Sequence, residues 1–211
     1  MREYPILYAG QMVRQILAGY KTETRRIVKL PDGYEHNEVG AYCGLTLGMK
    51  HHLFCDPGPD IQLRCPYGVP GDRLWVRETW QAIHVYRDFE TGHGEDFDVA
   101  VTIPKDDGGG WWRAVHAATD PQRNSDKDDR GFLWRPSIHM PRWACRLLLD
   151  VVSVRAERLQ DITETGAIAE GVASIEEYRV LWDSLAPVGS RWVNNPWVWV
   201  VGFKVAPREM I

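Results

Sequence analysis

Apolar residues near the N-terminus recur with helical spacing: Met12, Val13, Ile16 and Leu17 fall at i, i+1, i+4 and i+5. That pattern predicts a helix over about 11–18, and Gly19 stands where helices end in a left-handed residue. Before it, Pro5-Ile-Leu-Tyr8 reads as a short opening strand. Further on, Arg73-Leu-Trp-Val-Arg-Glu78 alternates, with Leu74 and Val76 on one face and Arg73, Trp75 and Arg77 on the other. This is the pattern of a half-buried strand, entered through a Pro70-Gly71-Asp72 turn. Val99–Ile103 and Trp111–Ala117 read as strands, and Arg146–Leu159 as a long β-rich segment. Asp161-Ile-Thr-Glu164 then predicts an N-cap at Asp161 and a short helix to Glu170, stopped by Gly171. Ser174-Ile-Glu-Glu177 is a capping box. It opens a helix whose Ile175, Tyr178, Leu181, Trp182 and Leu185 share a face. Trp197–Val205 is the closing strand.

Two stretches lack a sustained period. Residues from about 31 to 66 are rich in Gly, Pro, His and Asp and read as an insertion with a hairpin. Residues from about 85 to 131 are acidic and turn-rich, a second insertion. The run Asp120–Asp129 lacks the D-x-D-x-D-G spacing of a calcium loop and reads as a solvated loop. Strands interleaved with a few short helices, without an internal repeat, predict an α+β fold. The expected form is one domain over residues 1–211, built on a small, mostly antiparallel β-barrel.

Composition narrows the function classes. A chain of 211 residues, 44% hydrophobic and 26% charged, is long enough for one domain with a real core. A formal net charge of -4 argues against nonspecific binding to duplex DNA, which needs a basic stripe. Ten tryptophans supply core anchors or faces on which bases can stack. The sequence shows neither an apolar run of about 18 residues nor a signal-peptide core, so no membrane partner is expected and the location expected is cytoplasmic. Cys43, Cys55, Cys65 and Cys145 form no C-x-x-C pair, and with His36, His51 and His52 they match no standard zinc spacing. Reduced cysteines and no metal or other cofactor are the expectation.

The most informative stretch is Leu17–Arg26. Lys21, Thr22, Thr24, Arg25 and Arg26 place three cations and two hydroxyls in six residues, with Glu23 the only acid among them. Such a turn is either a solvated basic surface or a site for anionic and carbonyl oxygens, where a Thr hydroxyl beside a base can act as nucleophile. Glu170 stands out because it sits in the last turn of its predicted helix, where the dipole opposes a carboxylate.

Gly19-Tyr-Lys-Thr-Glu-Thr-Arg-Arg26 resembles the G-x-K-T-x-T-x-R signature of the ASCH superfamily, small barrels related to the PUA RNA-binding domain. It is similar above all to the phage and prophage branch, where the segment commonly reads G-x-K-T-x-T-R-R. Three later segments extend the resemblance in the expected order: Cys65–Trp80, Trp134–Trp143 and Asn195–Phe203. Some small ASCH proteins are N4-acetylcytidine amidohydrolases with a Lys/Thr/Glu triad. By resemblance that triad falls on Lys21, Thr24 and Glu170, the last through the start and length of its helix.

The implied chemistry is amide cleavage. Thr24 would attack the acyl carbonyl, Lys21 would accept its proton, Glu170 would pass a proton to the cytosine amino group, and Arg26 would hold the oxyanion. The scheme requires a turn between Lys21 and Thr24, because on an extended strand they point to opposite faces. Trp80, His139 and Arg142 join Arg26 as candidate substrate-binding residues. For Trp75, Trp80 and Trp143 the choice is core or stacking platform; Arg77, Arg142 and Arg146 are candidate phosphate contacts or a solvated face. The expected partner is a modified nucleoside. The alternative is an RNA or single-stranded nucleic-acid module, or a ribonuclease, gripping its ligand with the same turn.

Overall fold

The computed structural model describes residues 1–29, 39–41, 51–55, 61–87, 94–100, 102–120 and 134–207. The elements follow in order: β1 (Glu3–Leu7), α1 (Gly10–Leu17), β2 (Glu23–Ile27), β3 (Val39–Ala41), β4 (His51–Cys55), β5 (Ile61–Leu63), β6 (Arg73–Arg77), β7 (Trp80–Arg87), β8 (Gly94–Val99), β9 (Trp112–His116), β10 (Leu148–Arg158), α2 (Glu164–Ala169), α3 (Ile175–Leu185) and β11 (Trp197–Val205). The fold is α+β. Its described strands form three sheets, ordered β1-β6-β10-β11-β2, β3-β4-β5 and β8-β7-β9, with no closed barrel among them.

Contacts group the chain into two compact units, each discontinuous in sequence. The first comprises Met1–Tyr4, Gln15–Leu74 and Leu149–Ile211; the second comprises Pro5–Arg14 and Trp75–Leu148.

In the first unit β11 pairs antiparallel with β10 on one side and β2 on the other. Register fixes the faces, since directly paired residues point the same way and neighbours alternate. Val198 lies opposite Ile27 and Glu157, and Val200 opposite Arg25 and Arg155; Val201 lies opposite Thr24, and Trp199 opposite Arg26. Val198 and Val200 join Leu159, Ile162, Ala167, Tyr178 and Trp182 in one core, with Ile27 and Ile175 packed against it. The α2–α3 pair therefore covers the Arg25/Ile27 face of β2. Burying each such side chain stabilises the fold by roughly 1.5–3 kcal/mol.

The caps explain where these helices start. Ser174 accepts from Glu177 N–H at 3.2 Å, as its capping box predicts. For α2 the cap is Thr163 rather than Asp161: its hydroxyl accepts from Gly166 N–H at 3.1 Å, and Leu159–Asp161 is drawn into a 3-10 turn. The predicted stretch from Ile162 to Glu170 therefore shortens to six helical residues. Glu164 reaches across to Ile175 N–H at 3.2 Å, tying the starts of the two helices together.

The second unit holds the antiparallel β8-β7-β9 sheet. Trp111–Ala117 contains β9 as predicted. The strand expected at Val99–Ile103 lies earlier, over Gly94–Val99. Its acidic residues read as loop, yet among the described strands β8 lies at the edge of its sheet, where charge is tolerated. Trp80 is fully buried here, among Ala82, Ala100, Met140 and Ala144, with its ring edge-on to Trp143 at 5.7 Å. The insertion at about 31–66 carries the β3-β4-β5 meander, a third strand beyond the expected hairpin. His36, Cys43 and the Asp-rich run over 121–129 lie outside the described residues.

Candidate functional site

Gly19, at φ 78°, ends α1 in the left-handed conformation, as its position predicts. Two amides beyond it, Tyr20 N–H and Lys21 N–H, return to Gln15 O at 2.9 and 3.2 Å. The chain is then laced on both sides: Thr22 N–H donates to Ala169 O at 2.8 Å, and Thr22 O accepts from Phe203 N–H at 2.9 Å. Lys21 thus lies before β2 begins, against the C-terminal end of α2.

That placement brings Lys21 to Glu170 across 149 residues of sequence. The Lys21 ammonium pairs with Glu170 Oε2 and also donates to Glu170 O at 2.9 Å. It thereby caps the end of α2, where unpaired carbonyls and the dipole favour a cation. Both residues are buried, Lys21 with 2% and Glu170 with 6% of its surface exposed. Desolvation lowers the Lys21 pKa below 10.5; Glu170 opposes that fall, and Arg26 and Arg25 add to it.

Glu170 Oε1 faces two other donors, Arg25 Nη1 and Tyr178 Oη, each at 3.4 Å. Arg25 is itself buried. Its Nε and Nη2 reach Glu157 Oε1 at 2.9 and 2.8 Å, and Nη2 lies 3.6 Å from Glu23 Oε2. Burial, and then the Glu170 charge, hold the Tyr178 phenol well above its ordinary 10, so its hydroxyl keeps its proton.

Thr24 is buried on β2 opposite Val201. Strand alternation sends it, with Arg26, to the face opposite Arg25. The structure joins Lys21 and Glu170 directly and sets Thr24 three residues along the adjoining strand. Arg25 reaches Glu170, a contact that the sequence reading did not assign to either arginine. Arg26 is half-buried beside Lys21 and Tyr67, whose phenol pKa it helps to hold down against burial.

Trp80, His139 and Arg142 belong to the other unit. Trp80 presents no face to a base, because the core encloses it completely. His139, in a 3-10 turn over Ser137–His139, and Arg142 are exposed. Of the candidate phosphate contacts, Arg146 grips the buried Glu78 with two bonds of 2.9 Å and donates to Thr119 Oγ1 at 2.8 Å. Arg77 donates to Ile138 O and lies over the Trp75 ring. Both are committed to the fold. Burial pushes the Cys65 thiol up to about 11, leaving it protonated and unreactive at neutral pH. Among the described residues no group of His, Cys, Asp and Glu is arranged to hold a metal ion, and no helix is long and apolar enough to cross a membrane.

No family model, curated protein or solved structure matches this chain.

Sequence reasoning passed over Arg25, Glu157 and Tyr178. The signal for Arg25 was the alternation with Ile27: an apolar residue two places on marks the inward face of β2. Gly171 does more than stop the helix. At φ 88° it also admits Lys21, since a Cβ there would meet Lys21 Cβ and Gln15 Cβ at 3.2 Å. Gly171→Ala is expected to cost about 1–2 kcal/mol through the left-handed backbone alone. Urea unfolding monitored by tryptophan fluorescence would measure it, and an unchanged midpoint would contradict the assignment.

Proposed function

We propose that the chain is an ASCH-type, PUA-like protein that hydrolyses the acyl amide of N4-acylated cytidine or a related modified nucleoside. The observation that supports it best is the buried contact between Lys21 and Glu170, with a buried threonine on the strand that Lys21 leads into. Burial penalises the charge on Lys21 and so favours its neutral amine. That form has what amide cleavage needs.

The Thr24 hydroxyl oxygen bonds to the acyl carbon while the Lys21 amine takes its proton. The resulting oxyanion is stabilised by Arg26. The C–N bond then breaks, the proton taken up by Lys21 passes through the Glu170 carboxylate to the cytosine amino nitrogen, and the acyl group remains on Thr24. Water, deprotonated through the same pair, cleaves the ester to carboxylate and restores the hydroxyl. One amide and one water become one amine and one carboxylic acid. The scheme uses no cofactor.

Incubation with N4-acetylcytidine, followed by chromatography, is expected to yield cytidine and acetate in equal amounts; absence of cytidine would overturn the reading. Because the base form of Lys21 is the active one and burial lowers its pKa, kcat/KM should rise with pH and level off below 10.5. Binding of RNA or single-stranded nucleic acid, or its cleavage, draws less support. Two of the three cations of the turn, Lys21 and Arg25, are buried against carboxylates, so the turn presents less positive charge to a strand than its sequence suggests. Tight RNA binding at physiological salt, falling steeply as salt rises, would reverse this order.

A further inference from the structure

Glu170 follows the last residue of a six-residue helix, and nothing within that helix fixes its carboxylate. A glutamate there has three rotatable bonds, and either oxygen could face the amine. The two oxygens are nonetheless divided: Oε2 meets Lys21, and Oε1 meets Arg25 from β2 and Tyr178 from α3.

We propose that Tyr178 and Arg25 are positioning residues for Glu170, fixing its carboxylate so that one defined oxygen faces the Lys21 amine; as a statement about catalysis this rests on the amidase reading above. Arg25 is well placed for it because its guanidinium is fixed from several directions. Glu157 Oε1 takes Nε and Nη2, Glu23 Oε2 lies near Nη2, and Gly166 O lies 3.5 Å from Nη1. Arg155 holds the far side of both acids, donating to Glu157 Oε2 at 2.9 Å and to Glu23 at 3.0 and 3.3 Å. Two arginines and two glutamates thus form a lattice across β2 and β10, over the face where Val200 separates Arg25 from Arg155. Gly166 is part of the fit: a Cβ there would meet Arg25 Nη2 at 2.9 Å.

Tyr178 is fixed by packing. Its ring lies 6.1 Å from Trp182 and 6.4 Å from Trp192, centre to centre, with Arg25 Cζ 5.9 Å from its own centre. Since the phenol keeps its proton, it donates to Oε1 and brings no charge against it.

The test reads Lys21 itself. Glu170, Arg25 and Arg26 all act on its titration; Glu170 raises it, and the two arginines lower it. Lysine labelled with 13C at Cε is titrated by NMR in the full-length chain, with the Lys21 signal assigned by its loss in Lys21→Met. Glu170→Gln sets the limit, a downward move of the Lys21 midpoint. Tyr178→Phe keeps the ring and its packing, and Arg25→Lys keeps the charge but loses the fork. Each is expected to move the midpoint part of the way toward Glu170→Gln, because a carboxylate that turns away no longer supports the ammonium. On N4-acetylcytidine, Tyr178→Phe should lower kcat by about tenfold or more with little change in KM, the signature of a misplaced catalytic group. A Lys21 midpoint equal to wild type in both variants, beside a displaced one in Glu170→Gln, would overturn the proposal. If the wild-type chain releases no cytidine, the amidase reading falls, while the titration still decides whether these residues position Glu170.

Discussion

Glu170→Gln is expected to lose two or more orders of magnitude in amidase activity and several kcal/mol of stability at once. The two losses have one origin. Glu170 supplies the counter-charge to a lysine with 2% of its surface exposed. Removing one partner of a buried pair typically costs about 3–5 kcal/mol, because the remaining charge is left desolvated. The amine can escape that cost by losing its proton. Its folded pKa, already below 10.5 through burial, therefore falls further when the Glu170 charge that raises it is gone. The unfolded lysine still binds a proton up to about 10.4. Between the two values the unfolded state holds more protons, so stability rises with pH, and it does so over a wider window in the variant than in wild type. Denaturant unfolding at several pH values, run beside the N4-acetylcytidine assay, measures both effects. A variant as stable as wild type at neutral pH would mean that the pair is not desolvated as described.

Thr24→Ala is expected to abolish cytidine release with the fold retained, and Thr24→Ser to keep part of the rate. Its backbone is held by the ladder to Val201, so neither change removes a sheet hydrogen bond. Serine preserves the attacking oxygen but loses the methyl group that restricts rotation about χ1. Nucleophile and base act as one unit, so Thr24→Ala combined with Lys21→Arg should be little worse than either alone. Arginine keeps the charge and cannot accept a proton at neutral pH, which separates a base from an electrostatic role at Lys21. Full activity in Thr24→Ala would end the covalent scheme and leave a water activated by Glu170 as the attacking group.

Periodicity and punctuation made much of the frame readable. Gly19 marks the end of α1, Leu74 and Val76 mark the buried face of β6, Ser174 starts α3, and Trp197–Val205 bounds β11. What escaped was decided by registers that local pattern does not encode. Arg25 and Arg26 are adjacent and chemically alike. Alternation with Ile27 puts Arg25 on the inward face of β2, but only the fold brings α2 and α3 over that face, while Arg26 shares the face of Thr24. Tyr178 belongs to the apolar stripe of α3, and its packing against Trp182 and Trp192 gives no hint of where its hydroxyl goes. The meeting of Lys21 with Glu170 spans 149 residues, and only a resemblance, not spacing, could suggest it. Asp161 lost the cap of α2 to Thr163 because a 3-10 turn intervened, a two-residue slip that composition alone does not reveal.

The lacing of Thr22 to Ala169 on one side and to Phe203 on the other ties the paired side chains to the fate of a very short helix. Six residues do not hold helical shape by themselves in water; α2 exists because α3 and the sheet pack against it. When its last turn frays, the Thr22 amide loses its acceptor, the Lys21 ammonium loses the carbonyl it caps, and the carboxylate moves with the departing backbone. The motif after α1 and the end of α2 are therefore expected to open and close as one cooperative segment, so that the lifetime of the assembled pair is that of the segment.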